Sequence, residues 1–253
     1  NTSSRLYLEP LTAEHVGDVL DKEGIERVVV QLGGQTPLNM AEELQRKGAV
    51  IVGTSVEQIR RTEDRQVFAE AVKSMGLRQP ENRSASSRED VALLAREIGF
   101  PVLLRPSFVL GGRSMMIAYN DEELESFLSH GIPASPERPV LVDQFLEDAF
   151  EYDLDAVSDG ENLYVGGILQ HIEAAGIHSG DSAAGFSPDK SPPRILGEMR
   201  ESARKVSREF EIVGFLKKQI AVKDDVLYLL RVNPPWSRTD PFLAKTAGVG
   251  IPG

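Results

Sequence analysis

Leu103-Leu104-Arg105-Pro106-Ser107-Phe108-Val109-Leu110-Gly111-Gly112-Arg113-Ser114 is the stretch on which the reading of this chain turns. Pro101 to Leu104 reads as a strand that delivers Arg105, Ser107 to Gly112 as a loop closing on two glycines, and Met115 to Tyr119 as a second strand. Glycines let backbone N–H groups approach phosphate oxygens closely, and a guanidinium beside them would neutralise charge on the same phosphates. Alone, such a stretch is more often an ordinary hairpin with arginines nearby.

On its N-terminal side, residues 12–23 read as a helix with Val16, Val19 and Leu20 on one face. Arg27 to Leu32 reads as a buried strand, and Gly33-Gly34-Gln35-Thr36-Pro37 as a turn. Pro37 suits the first turn of a helix reaching Leu44, and Ala49 to Val52 is a short strand closed by Gly53. This alternation predicts a parallel, doubly wound sheet. It opens on a helix where such a domain normally opens on a strand, and there is no initiator Met, so a fragment of a longer chain is expected. Near residue 60 the pattern changes. Asp64 can cap a helix whose face is Val67, Phe68, Ala71, Val72 and Met75; Asn120 and Glu123 form a capping-box pair for a helix carrying Leu124, Phe127 and Leu128. With the two strands around the glycine loop these make a small α+β lobe.

From Pro139 the chain turns β-rich, with strands Val140–Phe145, Glu151–Val157 and Leu163–Gln170. An amphipathic helix follows, with Ile195, Met199, Ala203, Val206 and Phe210 at near-helical spacing. Strands Phe215–Val222 and Val226–Val232 are joined by a hairpin turn at Lys223-Asp224-Asp225. No internal repeat or low-complexity tract is present. A chain of 253 residues, 41% of them hydrophobic, can bury more than one compact unit. A net charge of −11 argues against general nucleic-acid binding, which needs clustered Lys and Arg. The absence of cysteine removes disulfides, thiolate metal sites and thiol nucleophiles, and fits a cytoplasmic enzyme. No apolar run reaches the roughly 18 residues of a membrane helix.

Two further constellations carry candidate chemistry. Gln170-His171-Ile172-Glu173-Ala174-Ala175-Gly176-Ile177-His178-Ser179-Gly180-Asp181-Ser182 mixes ionisable residues with glycines, as binding loops and polar surface loops both do. Gln219, Arg231 and Asn233 lie on consecutive strands. Arg231 and Asn233 are two apart and project on one face, and Gln219 joins them there if the hairpin register is right. Oxygen ligands on adjacent strands suit Mg²⁺, which also uses substrate phosphates; an ordinary solvent-facing strand surface has the same spacing.

In that order the three constellations resemble the large chain of the carbamoyl phosphate synthetase family over essentially the full length. The carrying stretches are RLYLEP, VVVQLGGQTPLNMA, VIVGTS, TEDRQVF, RPSFVLGGRSM, HIEAAGIHSGDSA and VNPP…RTDPF. RPSFVLGGR and HIEAAGIHSGDS are similar to the second, carbamoyl phosphate-forming half. The resemblance implies an α/β chain: a partial doubly wound pre-ATP-grasp domain over residues 1–60, then a two-lobed α+β ATP-grasp domain over 61–253. The small lobe is expected at about 61–138 and the larger, truncated one at about 139–253. It implies a ligase that phosphorylates carbamate with ATP, within carbamoyl phosphate synthesis from bicarbonate, ammonia and ATP for arginine and pyrimidine biosynthesis. Its partners would be the other half of the large chain and a glutaminase small chain, with neither nucleic acid nor membrane.

The same resemblance implies the site. Arg105, Gly111, Gly112 and Arg113 would lie at the phosphates, and Gln144, Leu146 and Glu151 around adenine and ribose. Gly176, Ile177, His178 and Ser179 would line the nucleotide pocket near a K⁺ ion. Gln219 and Asn233 match ligands of Mg²⁺ or Mn²⁺, and Arg238 a phosphate- or substrate-contacting arginine. Arg105, Asn233 and Arg238 are thereby the catalytic candidates. A biotin-dependent carboxylase component would share the chemistry, but the VLGGR and HSGDS segments fit it poorly.

Three positions depart from the family pattern: Lys217 stands where the family has Asn, Arg231 where it has a metal-bridging Glu, and Pro235 where it has Arg. Arginine cannot ligate Mg²⁺ and stays charged. Two unit charges about 4 Å apart, at an effective dielectric near 20, interact by roughly 4 kcal/mol. A catalytically impaired nucleotide-binding or regulatory module is therefore the competing expectation.

Overall fold

The structure, a computed structural model, describes residues 3–106, 115–130, 139–173, 182–186, 188, 191–234 and 239–248. Among these residues the strands form three sheets, of two, four and five strands.

The N-terminal unit runs α1 (Ala13–Glu23), β1 (Arg27–Val29), α2 (Gln35–Arg46), β2 (Val50–Val52) and α3 (Val56–Glu63). The Thr12 hydroxyl caps α1 by accepting from the His15 N–H, and Gly24 ends it in the left-handed region at φ 63°. β1 and β2 pair in parallel, Arg27 opposite Val50, as the αβ alternation requires. β1 stops at Val29, earlier than the apolar run to Leu32 predicts. Just beyond it Gln31 is buried, its amide donating to the Pro234 carbonyl at 2.6 Å and to the Thr54 hydroxyl at 3.3 Å. The Thr54 hydroxyl in turn donates to the Val213 carbonyl at 2.9 Å. This clasp fixes two glycines. Gly53 and Gly214 have φ of 102° and 94°, and a Cβ on either would stand 2.4 or 2.6 Å from Gln31 Oε1.

The next stretch runs α4 (Arg65–Ser74), β3 (Asn82–Ala85), α5 (Arg88–Ile98), β4 (Val102–Pro106), β5 (Met116–Ala118), α6 (Asp121–His130) and β6 (Val140–Gln144). The Asp64 carboxylate caps α4, accepting from the N–H groups of Gln66 and Val67 at 2.9 and 3.0 Å. Asn120 Oδ1 accepts from the Glu123 N–H at 2.9 Å, but the Glu123 carboxylate accepts from Tyr119 N–H, one residue upstream of the expected reciprocal donor. The four strands lie in the order β3-β6-β4-β5, and Val91, Ala95, Val102, Leu104, Leu124 and Val142 fill the core beneath α5 and α6. β3 has no apolar alternation and is defined by its pairing with β6.

The rest comprises β7 (Phe150–Asp159), β8 (Leu163–His171), β9 (Ala184–Phe186), α7 (Pro193–Glu209), β10 (Val213–Lys223), β11 (Val226–Asn233) and α8 (Thr239–Ala247). The five-stranded sheet, order β11-β10-β7-β8-β9, is antiparallel throughout. The predicted apolar row of α7, Ile195, Met199, Ala203 and Val206, packs in one core with Leu154, Leu216 and Ile220. Lys223 pairs with Val226 around Asp224 and Asp225, whose φ of 50° and 60° make the tight turn that matches strand twist.

The lobes interleave along the chain. Phe68, Ala71 and Val72 of α4 belong to the core of the five-stranded sheet, with Phe68 stacked on Phe210 at 5.7 Å. β6, grouped by sequence with the later strands, pairs with β3 and β4 in the four-stranded sheet. Apolar periodicity reveals that a face is buried, not which sheet covers it.

Candidate functional site

The four- and five-stranded sheets face each other across a cleft. One cavity of about 340 Å³ is lined by Arg105 of β4, Gln144 of β6, Glu151 of β7, Gln219 of β10 and Arg231 of β11, with Leu146 beside them. An adjoining cavity of about 460 Å³ shares Arg105, Asp143 and Arg231 and adds Arg65 and Asn233. Strand alternation explains the assembly. On β7 the odd-numbered Glu151, Asp153 and Asp155 share one face, and register carries it to Lys217 and Gln219, then to Arg231 and Asn233. The other face, with Tyr152, Leu154, Leu216 and Ile220, is core.

Arg105 is held by Asp143. Its Nε donates to Asp143 Oδ2 at 2.5 Å, and Nη2 forms an ion pair with the same oxygen at 2.5 Å. Asp143 is the register partner of Leu103, so the guanidinium spans a diagonal between β4 and β6. Burial pushes the Asp143 carboxyl up, and the opposing pull of Arg105, then Arg65, does not cancel it. Arg105 is the more exposed partner, 40% against 11% for the two side chains, so its outer edge faces the cleft.

Deeper on the same sheet face lies a charged row. Asp153 Oδ2 accepts from Lys217 Nζ at 2.7 Å and lies 3.3 Å from His171 Nε2. His171 Nδ1 lies 3.5 Å from Glu151. Burial acts to raise the Asp153 carboxyl, but hydrogen bonding from His171 and the Lys217 charge outweigh it and hold it below the ordinary carboxylate range. Its hydrogen bond to Asp153 raises the pKa of His171 against the effect of burial. Thr239, at the start of α8, donates to Asp155. Lys218 points the other way, into the core, where its ammonium meets the Ser202 hydroxyl; burial pushes its pKa down to about 7.

The residues that resemblance assigns to a divalent ion bring no carboxylate of their own. Gln219 is the register partner of Arg231, and Asn233 of Lys217. Two neutral amides thus each stand opposite a basic side chain across the ladder, and neither brings the carboxylate oxygen that usually accompanies substrate phosphates around Mg²⁺.

Of the positions named from sequence, Arg105, Gln144, Leu146, Glu151 and Gln219 line one cavity, and Asn233 lines its neighbour. Gly111, Gly112, Arg113, Gly176, Ile177, His178, Ser179, Pro235 and Arg238 lie outside the described residues. Sequence reading missed Asp143, Arg65, Gln79 and Asn82 as cleft residues. Asp143 had a signal, an acid inside an otherwise apolar strand; the others are brought in only by the packing of α4 and β3.

Residues 64–252 match the family described as carbamoyl-phosphate synthase L chain, ATP binding domain, and residues 1–61 the carbamoyl phosphate synthase preATP-grasp domain. The chain is 46% identical over 248 residues to the carbamoyl phosphate synthase large chain, C-terminal section, of Aquifex aeolicus, covering 98% of this chain and 46% of that protein. It is 49% identical over 252 residues to the large chain of Methanothermobacter thermautotrophicus, covering 98% and 24%. The chain therefore spans less than half the length of these relatives. Among solved structures, Campylobacter jejuni biotin carboxylase superposes with a TM-score of 0.72 at 15% identity, covering 95% of this chain and 56% of that one. The biotin carboxylase domain of Hydrogenobacter thermophilus 2-oxoglutarate carboxylase, in complex with MgADP, ADP and bicarbonate, superposes with a TM-score of 0.74 at 20% identity, covering 97% and 57%. At these identities the likeness shows the fold, an ATP-grasp architecture. Among the described residues no helix is long and apolar enough to cross a membrane.

Proposed function

The chain belongs to the carbamoyl phosphate synthase large-chain family, which is built on ATP-grasp domains, and from that premise we propose that it serves the carbamate-phosphorylating half of the reaction. The observation that carries this is the convergence of Arg105, Gln144, Leu146, Glu151 and Gln219 on one cavity between two sheets. In this reading Leu146 packs against adenine, Gln144 and Glu151 hold its polar edge and the ribose, and Arg105 faces the phosphates. A carbamate oxygen attacks the γ-phosphorus, the bond to the β-bridging oxygen breaks, and ADP leaves with the electron pair. Gly111, Gly112 and Arg113 would close over the phosphates, Gly176 to Ser179 would line the pocket beside a potassium ion, and Arg238 would contact phosphate or substrate. The working protein would be cytoplasmic, would add the other half of the large chain and a glutaminase small chain, and would feed arginine and pyrimidine biosynthesis.

A second reading, a nucleotide-binding or regulatory module with impaired catalysis, is favoured by one observation: Arg231 stands opposite Gln219 where the family places a metal-bridging carboxylate. ADP release with carbamate, measured beside ATP binding by calorimetry, separates the two. Carbamate-stimulated turnover supports the first reading, and binding without turnover the second. Absence of ATP binding refutes both.

A further inference from the structure

We propose that nucleotide phosphates in this cleft are held by the fixed guanidiniums of Arg105 and Arg231 in place of a divalent ion, so that the chain takes metal-free nucleoside triphosphate in preference to its magnesium complex. The inference rests on the nucleotide-binding reading above and concerns how the charge of the ligand is met.

Arg105 and Arg231 come from opposite sheets, yet both line both cavities of the cleft. Arg231 is exposed on the cleft face, and among the described residues no carboxylate pairs with it. Arg65 lies in the second cavity, so three guanidiniums meet there against Glu63 and Asp143. Asp143 is engaged by Arg105, and Glu63 accepts from the Gln35 amide at 2.6 Å. A guanidinium keeps its charge at every relevant pH and presents paired donors that match phosphate oxygens.

The carboxylates on this sheet face are engaged by other side chains, Asp153 and Asp155 each through one oxygen, and Asp153 Oδ1 is buried with no hydrogen bond of its own among the described residues. Asp153 is held by Lys217 and His171, Asp155 accepts from Thr239, and Glu151 lies beside His171. A divalent ion placed between Gln219 and Asn233 would sit against Arg231, the register partner of Gln219, while Lys217, opposite Asn233, is already paired with Asp153. The charge of Arg231 opposes the ion there and attracts an anion. Magnesium bound to a triphosphate cancels part of the charge the arginines would engage, so the complexed nucleotide is the weaker ligand.

The test is calorimetric titration of ATP into the whole chain, once in excess EDTA and once in excess magnesium chloride. Binding in EDTA at least as tight as in magnesium, and several-fold tighter at low salt, is expected. Arg231→Gln should lose about tenfold or more of the EDTA affinity, the usual effect of removing a charge-assisted hydrogen bond. Arg231→Glu should lose more in EDTA and recover with magnesium. Because Arg231 is exposed, both variants should keep the parent's melting transition, and the comparison on the parent stands without them. Binding by the parent only when magnesium is present overturns the proposal and leaves the nucleotide reading intact. Binding in neither condition overturns both.

Discussion

Gln219 of β10 and Arg231 of β11 are direct register partners, and the pleat turns both side chains toward the cleft between the two large sheets. A neutral amide and a permanent cation therefore occupy adjacent positions on the surface where phosphates would be received. The neighbouring pair repeats the motif, with Lys217 opposite Asn233. The two pairs differ in one respect: Lys217 is neutralised by Asp153 beneath it, while Arg231 meets no carboxylate among the described residues.

Arg105→Ala should weaken ATP binding by about 1–3 kcal/mol, the cost of a lost charge-assisted hydrogen bond. Calorimetry on the single variant and on Arg105→Ala with Asp143→Asn separates two causes. If Arg105 contacts phosphate, the double variant stays weak. If it serves only to neutralise the buried Asp143 carboxyl, the double variant recovers. Unchanged affinity in the single variant counts against placing phosphate at Arg105.

Lys218→Met should stabilise the fold. Burial lowers the Lys218 pKa from its ordinary 10.5 to about 7 in the folded chain. Between these values the unfolded chain binds the extra proton, so this residue makes stability rise with pH across that window. Below pH about 7 the penalty is present in full and is on the order of 5 kcal/mol. Urea melts of the parent from near-neutral to alkaline pH should show that slope, and the variant should flatten it. A slope unchanged in the variant would show that Lys218 is not its source.

Asp153→Asn should destabilise by about 3–5 kcal/mol, because it leaves Lys217 and His171 buried without their shared carboxylate. The pH dependence has two signs. The Asp153 carboxyl is held below its ordinary range, so its contribution is present above the unfolded pKa and lost as pH falls through the folded one. The His171 pKa is raised, so its contribution is present below the unfolded value and lost as pH rises through the folded one. Thermal melts should show a stability plateau bounded on both sides in the parent and narrowed or absent in the variant. A His171 imidazole that titrates at or below its ordinary value by NMR would contradict this arrangement.

Gly214→Ala should break the clasp between the N-terminal unit and the five-stranded sheet. The new Cβ would stand 2.6 Å from Gln31 Oε1 at a backbone φ of 94°, so Gln31 must leave its hydrogen bond to the Pro234 carbonyl. A loss of about 1–3 kcal/mol is expected from the buried polar group left unsatisfied. Hydrogen exchange at residues 27–31 and 50–54 should quicken before exchange in α7. Unchanged protection there would mean that apolar packing alone holds the units together.

Local chemistry made much of this chain legible in one dimension. The Asp64 and Asn120 caps, the apolar row of α7, the Asp224-Asp225 turn and the parallel β1–β2 pair all follow from contacts within a few residues or from strict period. The family motifs led to Arg105, Gln144, Glu151 and Gln219 as candidates, and alternation already placed Arg231 and Asn233 on one face. Register decided what the sequence could not: that Gln219 faces Arg231, that Asp143 reaches Arg105 on the diagonal, and that β6 lies inside the small sheet while α4 packs on the large one. Periodicity encodes which way a side chain points from its own element. The partner across the ladder or the cleft is set by long-range packing, where a shift of one residue would turn the whole row to the other face.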